Sequence, residues 1–139
     1  MIIEKSCGAV LFTELQEKRY YVLVSSTVRN NCGLPKGHME GNETEQETAL
    51  REIFEETLIK AEIVEGFRKQ IEYMMPNGNK KQVIYFMARY KNQEAKNNPN
   101  EKLNVLLLPI HEAVNALTFD NTKKVLSDAD DWLSSKILI

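Results

Sequence analysis

Glu52, Glu55 and Glu56 are the residues of this chain best spaced to do chemistry. At about 100° per residue they share one face of any helix that carries them. Like charges at that spacing repel by a few tenths of a kcal/mol per i,i+4 pair. Arg51 relieves part of this by reaching Glu55 at i+4, and a divalent cation would relieve far more. Mg²⁺ suits such a face because it is held by one or two carboxylates together with waters and substrate phosphates. The plainer reading of three such carboxylates is a solvated acidic helix face.

The elements that must position these residues are legible around them. Pro35, Gly37, Gly41 and Asn42 form a turn-rich entry. Thr44-x-x-Glu47 is a capping box, in which a hydroxyl caps the N3 amide and the glutamate reaches back to the cap residue. Leu50, Ile53, Phe54 and Thr57 then recur at i, i+3, i+4 and i+7, an apolar stripe that points to the core and leaves the carboxylates on the far side. Before this helix, 3–12 reads as a strand with Gly8 at a close approach or bulge. Residues 13–19 read as a turn, YYVLVSS at 20–26 as a strand buried on both faces, and 27–32 as a loop without firm structure.

After the helix, 61–75 alternates as a strand, Pro76-Asn77-Gly78-Asn79 is a hairpin turn, and 81–90 is the returning strand. A polar, Asn-rich loop spans 91–102. An apolar strand at 103–108 ends before Pro109, a short helix covers 110–117, and a last helix runs from 120 to 134. That last helix turns Val125, Leu126, Ala129, Trp132 and Leu133 inward, and Phe119 is assigned with Trp132 to the core. Strands before and after one helix, then terminal helices, give an α/β fold with a mixed sheet between helices.

The chain has 139 residues, a length that fits a single domain over 1–139 with a substantial core. Its net charge of −2 provides no general attraction to nucleic acid or an anionic membrane. A phosphorylated partner would have to be met by a local cation cluster and by metal. No apolar run approaches the roughly 20 residues of a membrane span, and MIIEKSCGAVLF has neither the basic start nor the long apolar core of a signal peptide. Cys7 and Cys32 form no metal-binding or redox spacing and read as small buried residues in a reduced, cytoplasmic protein.

The spacing Gly37-x5-Glu43-x7-Arg51-Glu52-Ile53-x-Glu55-Glu56-x-x-Ile59 resembles the Nudix box, the signature of the Nudix hydrolases. Leu58 stands where that family usually has glycine. There a left-handed residue ends the helix, at a cost of about 1–2 kcal/mol for a residue with a Cβ. The resemblance implies a Nudix α/β/α sandwich and cleavage of a nucleoside diphosphate linked to another group. Leu34-Pro35-Lys36-Gly37-His38 with Glu40, and Glu65-Gly66-Phe67, Tyr73 and Val83-Ile84-Tyr85 further on, are similar to the asymmetric diadenosine tetraphosphate hydrolases within that family. Cys32 replaces an aromatic residue common there, and Gly41-Asn42 stands for Pro-Gly.

The resemblance implies that Glu52, Glu55, Glu56 and the Gly37 carbonyl hold Mg²⁺ or Mn²⁺. Either Glu52 or Glu56 serves as base, and Arg51 orients the glutamates. Glu101 is a further ligand, a base reaching in from its loop, or a solvated glutamate. Glu43 either favours the helix start or supports the metal site. Lys36, His38 and Lys81 are candidates to meet phosphates, with His38 as proton donor or loop brace. Tyr73 and Tyr85 are candidates to stack adenine, a contact that contributes roughly 1–3 kcal/mol per base. The expected reaction is hydrolysis of diadenosine tetraphosphate to ATP and AMP. The alternatives are a nucleoside triphosphate, a capped or triphosphate RNA end or an inositol pyrophosphate, and, in a different class, a nucleotide-binding module without turnover. The expected partner is a small nucleotide, with no membrane or nucleic acid, and the chain is expected to be a monomer or weak dimer.

Overall fold

The computed structural model describes residues 2–137; the ends of the expected 1–139 domain, residue 1 and residues 138–139, lie outside them. In chain order the elements are β1 (Ile3–Leu15), β2 (Lys18–Ser26), β3 (Cys32–Gly33), β4 (Lys36–His38), α1 (Glu45–Thr57), β5 (Glu62–Met74), β6 (Lys80–Arg89), β7 (Leu103–Leu108), α2 (Ile110–Ala116) and α3 (Asp120–Ile137). The sheet runs β3-β2-β1-β6-β5, with β4 added to β1 and β7 to β2. It is mixed: β1 and β6 run parallel from Ile3↔Lys80 to Phe12↔Arg89, and the other pairs are antiparallel.

Side chains alternate across the sheet, as the period of a strand requires. Cys7, Ala9, Leu11, Val22, Ile84 and Phe86 meet Ala49 and Ile53 of α1 on one face. Val10, Tyr21, Leu23, Val83, Tyr85 and Met87 meet Ala113, Val125, Leu126, Ala129 and Leu133 of α2 and α3 on the other. The three-layer α/β sandwich is therefore built, and β2 is buried on both faces as its sequence implies. Both cysteines are free and buried. No helix among the described residues is long and apolar enough to cross a membrane.

Four local expectations change. The turn expected over 13–19 shrinks to Gln16 and Glu17, both with positive φ (52° and 67°), because pairing of Leu15 with Lys18 extends both strands to the hairpin tip. The stretch read as loop ahead of the helix contains β3 and β4, which pair with β2 and β1. Phe54, expected on the core stripe, is 42% exposed. The stripe that α1 buries is Ala49, Ile53 and Thr57, at i, i+4 and i+8, with Thr48 beside it. Phe119, expected in the core, is 55% exposed, since it precedes α3 at the mouth of a cavity.

Helix α1 begins and ends as its sequence implies. Thr44 Oγ1 accepts from the Glu47 amide at 3.1 Å and Glu47 Oε1 accepts from the Thr44 amide at 2.8 Å. Leu58 takes the left-handed conformation (φ 63°) that glycine usually supplies, and its N–H donates to the Phe54 carbonyl at 2.9 Å. Leucine therefore keeps the helix end where a glycine would put it, at the conformational cost noted above.

Candidate active site

Two glycines let the box fold back on the sheet. A Cβ on Gly8 would lie 2.0 Å from the Pro35 carbonyl oxygen, so β1 can carry only glycine where the Leu34-Pro35-Lys36 segment crosses it. A Cβ on Gly37 would lie 1.9 Å from Glu52 Oε2 and 2.0 Å from its Cδ. The Glu52 carboxylate thus lies directly against the β4 backbone, and its side chain is only 13% exposed. Glu56, one turn on, accepts from the Lys36 amide at 3.2 Å. The two glutamates are therefore not on a solvated face opposite the core; they are flanked by β4. Gly37→Ala should unseat Glu52 and lower turnover by about 10²-fold, the loss expected from a misplacement near 1 Å, with Tm measured alongside to show the variant folded.

Burial dominates the ionisation of this pair. Burial first, and the Glu55 charge second, push Glu52 up to about 7. Burial and then the Glu52 charge push Glu56 up to about 8. Each carboxylate thus makes its neighbour harder to ionise. Both groups bind protons more tightly folded than unfolded, so their contribution to stability is fully present below about pH 4.5 and is lost as pH rises through 7 and 8. Without divalent cation, Tm should fall between pH 5 and 8. Adding Mg²⁺ should raise Tm more at pH 8 than at pH 5, as thermal melts with and without chelator would read.

Arg51 is the hub of the box. Its Nε donates to Glu43 Oε2 at 2.6 Å, its Nη1 to Glu52 Oε2 at 3.3 Å and to both Glu55 oxygens at 3.2 Å, and its Nη2 to the His38 carbonyl at 2.8 Å and Glu43 Oε1 at 3.0 Å. Glu43 also accepts from the Glu40 amide and Thr48 Oγ1, and the Arg51 hydrogen bonds hold its carboxyl down at about 2. Glu43 therefore braces the loop through Arg51. Glu55, with its side chain 42% exposed, is held by Arg51 Nη1, which it shares with Glu52. Among the described residues no three His, Cys, Asp or Glu side chains converge closely enough to cage an ion by themselves.

Two adjoining cavities open beside this helix. One, of about 340 Å³, is lined by Glu56, Glu101, Lys102, Ser26, Arg29 and Lys36. The other, of about 400 Å³, is lined by Tyr73, Tyr85, Phe119, Ile71, Met74 and Pro76. Arg29, Asn31, Gly33 and Lys36 belong to both walls. Burial pushes the Lys36 ammonium down, and the Glu56 charge opposes that. Tyr73 stands 38% exposed at the second cavity, whereas Tyr85 is 1% exposed and forms its floor, with no free ring face for stacking.

His38 and Lys81 pair with each other, Lys81 Nζ to His38 Nε2 at 2.6 Å, and neither lines the two cavities. By strand register they share the sheet face of Lys36, Tyr73 and Tyr85. Glu4 lies 4.0 Å from His38 Nε2. Burial first and then the Lys81 charge push His38 down, which favours a neutral ring accepting from Lys81. Arg29 and Phe119 are the site residues that sequence reasoning did not single out. Arg29 lies in a loop without periodicity, and Phe119 looked like core on hydrophobicity alone.

The NUDIX domain model matches residues 5–129. The chain belongs to the Nudix family. This Nudix hydrolase is 30% identical over 142 aligned residues to bis(5'-nucleosyl)-tetraphosphatase [asymmetrical] of Sus scrofa, covering 94% of this chain and 96% of that one. The protein of the same name from Rattus norvegicus is 28% identical with the same coverage. The Nudix fold is also that of a C. elegans Ap4A hydrolase binary complex, with a TM-score of 0.86 and 23% identity over 95% of this chain and 98% of that one. The NUDIX domain of Shewanella oneidensis NrtR, complexed with ADP ribose, superposes with a TM-score of 0.77 at 18% identity over 96% of this chain and 90% of that one.

Proposed function

We propose that this Nudix hydrolase cleaves diadenosine tetraphosphate asymmetrically, giving ATP and AMP by attack of water, as a cytoplasmic monomer or weak dimer acting on a small nucleotide. The observation that carries the reading is the pair of adjoining cavities, one lined by the charged residues Glu56, Glu101 and Lys102 and one by aromatic residues, with Arg29 and Lys36 in both walls. Relatives of matching length named for this reaction support it.

The residues fit a divalent cation such as Mg²⁺ or Mn²⁺. Glu52 and Glu56 are half-buried carboxylates whose mutual repulsion a cation would relieve, and Gly37 leaves room for Glu52 against its backbone. Mg²⁺ needs only one or two protein carboxylates when waters and phosphates complete its shell, so a three-carboxylate cage is not required. Glu55 completes the expected set through Arg51, and Glu101 lines the same cavity as Glu56. When bound, the cation supplies charge neutralisation at the phosphates and lowers the pKa of water.

The chain's own residues do the rest. Glu52 or Glu56 takes the proton of the attacking water, with a proton affinity already shifted toward neutral pH. Lys36 and Arg29 meet the polyphosphate where the two cavities join. The adenine lies between Tyr73 and Phe119, above Tyr85. Lys81, paired with the neutral His38 ring, adds positive charge on the same sheet face. Hydrolysis of such a phosphoanhydride is largely a matter of positioning and electrostatics, which this arrangement provides. Anion-exchange separation of the products tests the cleavage pattern. Equimolar ATP and AMP are expected, and paired ADP would overturn the asymmetric reading.

A further inference from the structure

We infer that Asn98 is a positioning residue that fastens Glu101 to the catalytic helix, so that its carboxylate keeps its place in the cavity wall it shares with Glu56. Helix α1 ends with carbonyls that the helix itself cannot satisfy. Its last turn carries no basic residue to meet them. The loop after β6 does so instead. Asn98 Nδ2 donates to the Glu55 carbonyl at 2.6 Å, and the Lys96 amide donates to the Thr57 carbonyl at 2.9 Å.

The rest of Asn98 is committed to Glu101. Its Oδ1 accepts from the Asn100 amide at 3.0 Å, and its carbonyl accepts from the Glu101 amide at 3.0 Å. This makes an Asx turn that delivers Glu101 to the cavity wall shared with Glu56. Among its exposed neighbours Lys96, Asn97, Pro99 and Asn100, Asn98 alone is partly buried. Asn97 fixes the other side of the loop by accepting from the Val105 amide of β7 at 2.7 Å. One side chain therefore links the turn that bears Glu55 and Glu56 to the loop that bears Glu101. The assignment rests on the reading above, in which Glu101 acts at this site.

The test is a double-mutant cycle of Asn98→Ser and Glu101→Gln, followed by kcat and KM for diadenosine tetraphosphate with Mg²⁺. Serine can still form a turn through its hydroxyl but is too short to donate to the Glu55 carbonyl. Asn98→Ser should lower kcat by about 10- to 100-fold with little change in KM, and lower Tm by no more than a few degrees, the cost of one lost hydrogen bond. In the Glu101→Gln background the same substitution should cost nothing further, since the two act as one unit. An equal loss in both backgrounds, or a loss confined to KM, would overturn the assignment. Wild-type turnover undiminished by Glu101→Gln would overturn it too. A wild-type chain that cleaves no nucleotide would bring down the hydrolytic reading itself, which an additive cycle in an active enzyme would leave standing.

Discussion

Glu56→Gln should lower kcat by about 10²- to 10⁴-fold, the range for loss of a general base, and at the same time stabilise the protein in chelator at pH 8. Both effects follow from one placement. Glu56 is half-buried against Lys36 and beside Glu52, and its carboxyl is pushed up to about 8. At pH 8 roughly half of the molecules must then hold a charge in a place that disfavours it, a cost on the order of a few kcal/mol relative to an unshifted glutamate. Glutamine keeps the shape and an oxygen to accept from the Lys36 amide, and it removes that charge. Its advantage in Tm should shrink toward pH 5, where Glu56 is already protonated, and reverse when Mg²⁺ is added. A Glu56→Gln variant with wild-type turnover, folded by its melt, would show that the base lies elsewhere.

Arg51→Lys should be nearly as damaging, although the charge is kept. The guanidinium spans Glu43, Glu52, Glu55 and the His38 carbonyl with a fixed fork, and a single ammonium cannot span all four. Glu52 loses one hydrogen bond, and Glu43 loses the group that holds its carboxyl near 2. Expected are a fall in kcat of about 10²-fold and a Tm lower by several degrees. The sign with pH is opposite to that of Glu56. The Glu43 carboxyl is depressed, so its contribution is present above about pH 4.5 and lost as pH falls toward 2. The Tm gap between wild type and Arg51→Lys should therefore narrow in acid.

How much of this could be read from the residues depended on how local the cause was. The α1 cap is set by Thr44 and Glu47 alone, and the β5–β6 hairpin by Asn77-Gly78, so both were legible. Strand β7 matched at both ends because it is a plain apolar run stopped by proline. Strands β3 and β4 were not legible, because two or three residues become strand only by pairing with β2 and β1. The ends of β1 and β2 that meet at their hairpin, Leu15 and Lys18, were missed for the same reason, whereas the start at Ile3 and the end at Ser26 matched.

Side-chain placement was harder. Helical spacing sent Phe54 to the core and hydrophobic type sent Phe119 there, while neighbours distant in sequence decide that both are exposed. The acidic face was legible as a triplet, but only the tertiary structure separates Glu52 and Glu56, which lie against β4, from the more exposed Glu55, which Arg51 holds. Tyr85 reads as a stacking residue beside Tyr73 until the fold seals it under the cavity floor. The loops that carry Arg29 and Asn98 have no periodicity for a sequence argument to use.

The most direct measurement is kcat/KM with Mg²⁺ for diadenosine tetraphosphate beside nucleoside triphosphates, 8-oxo-dGTP, ADP-ribose and 5′-triphosphate RNA, with Glu56→Gln as control. The expected result is cleavage of diadenosine tetraphosphate well above every other compound and its near-complete loss in the variant. Faster cleavage of another compound, or turnover that survives Glu56→Gln, would contradict the substrate or the site respectively. Tight nucleotide binding with no turnover of anything would contradict the reading as a hydrolase.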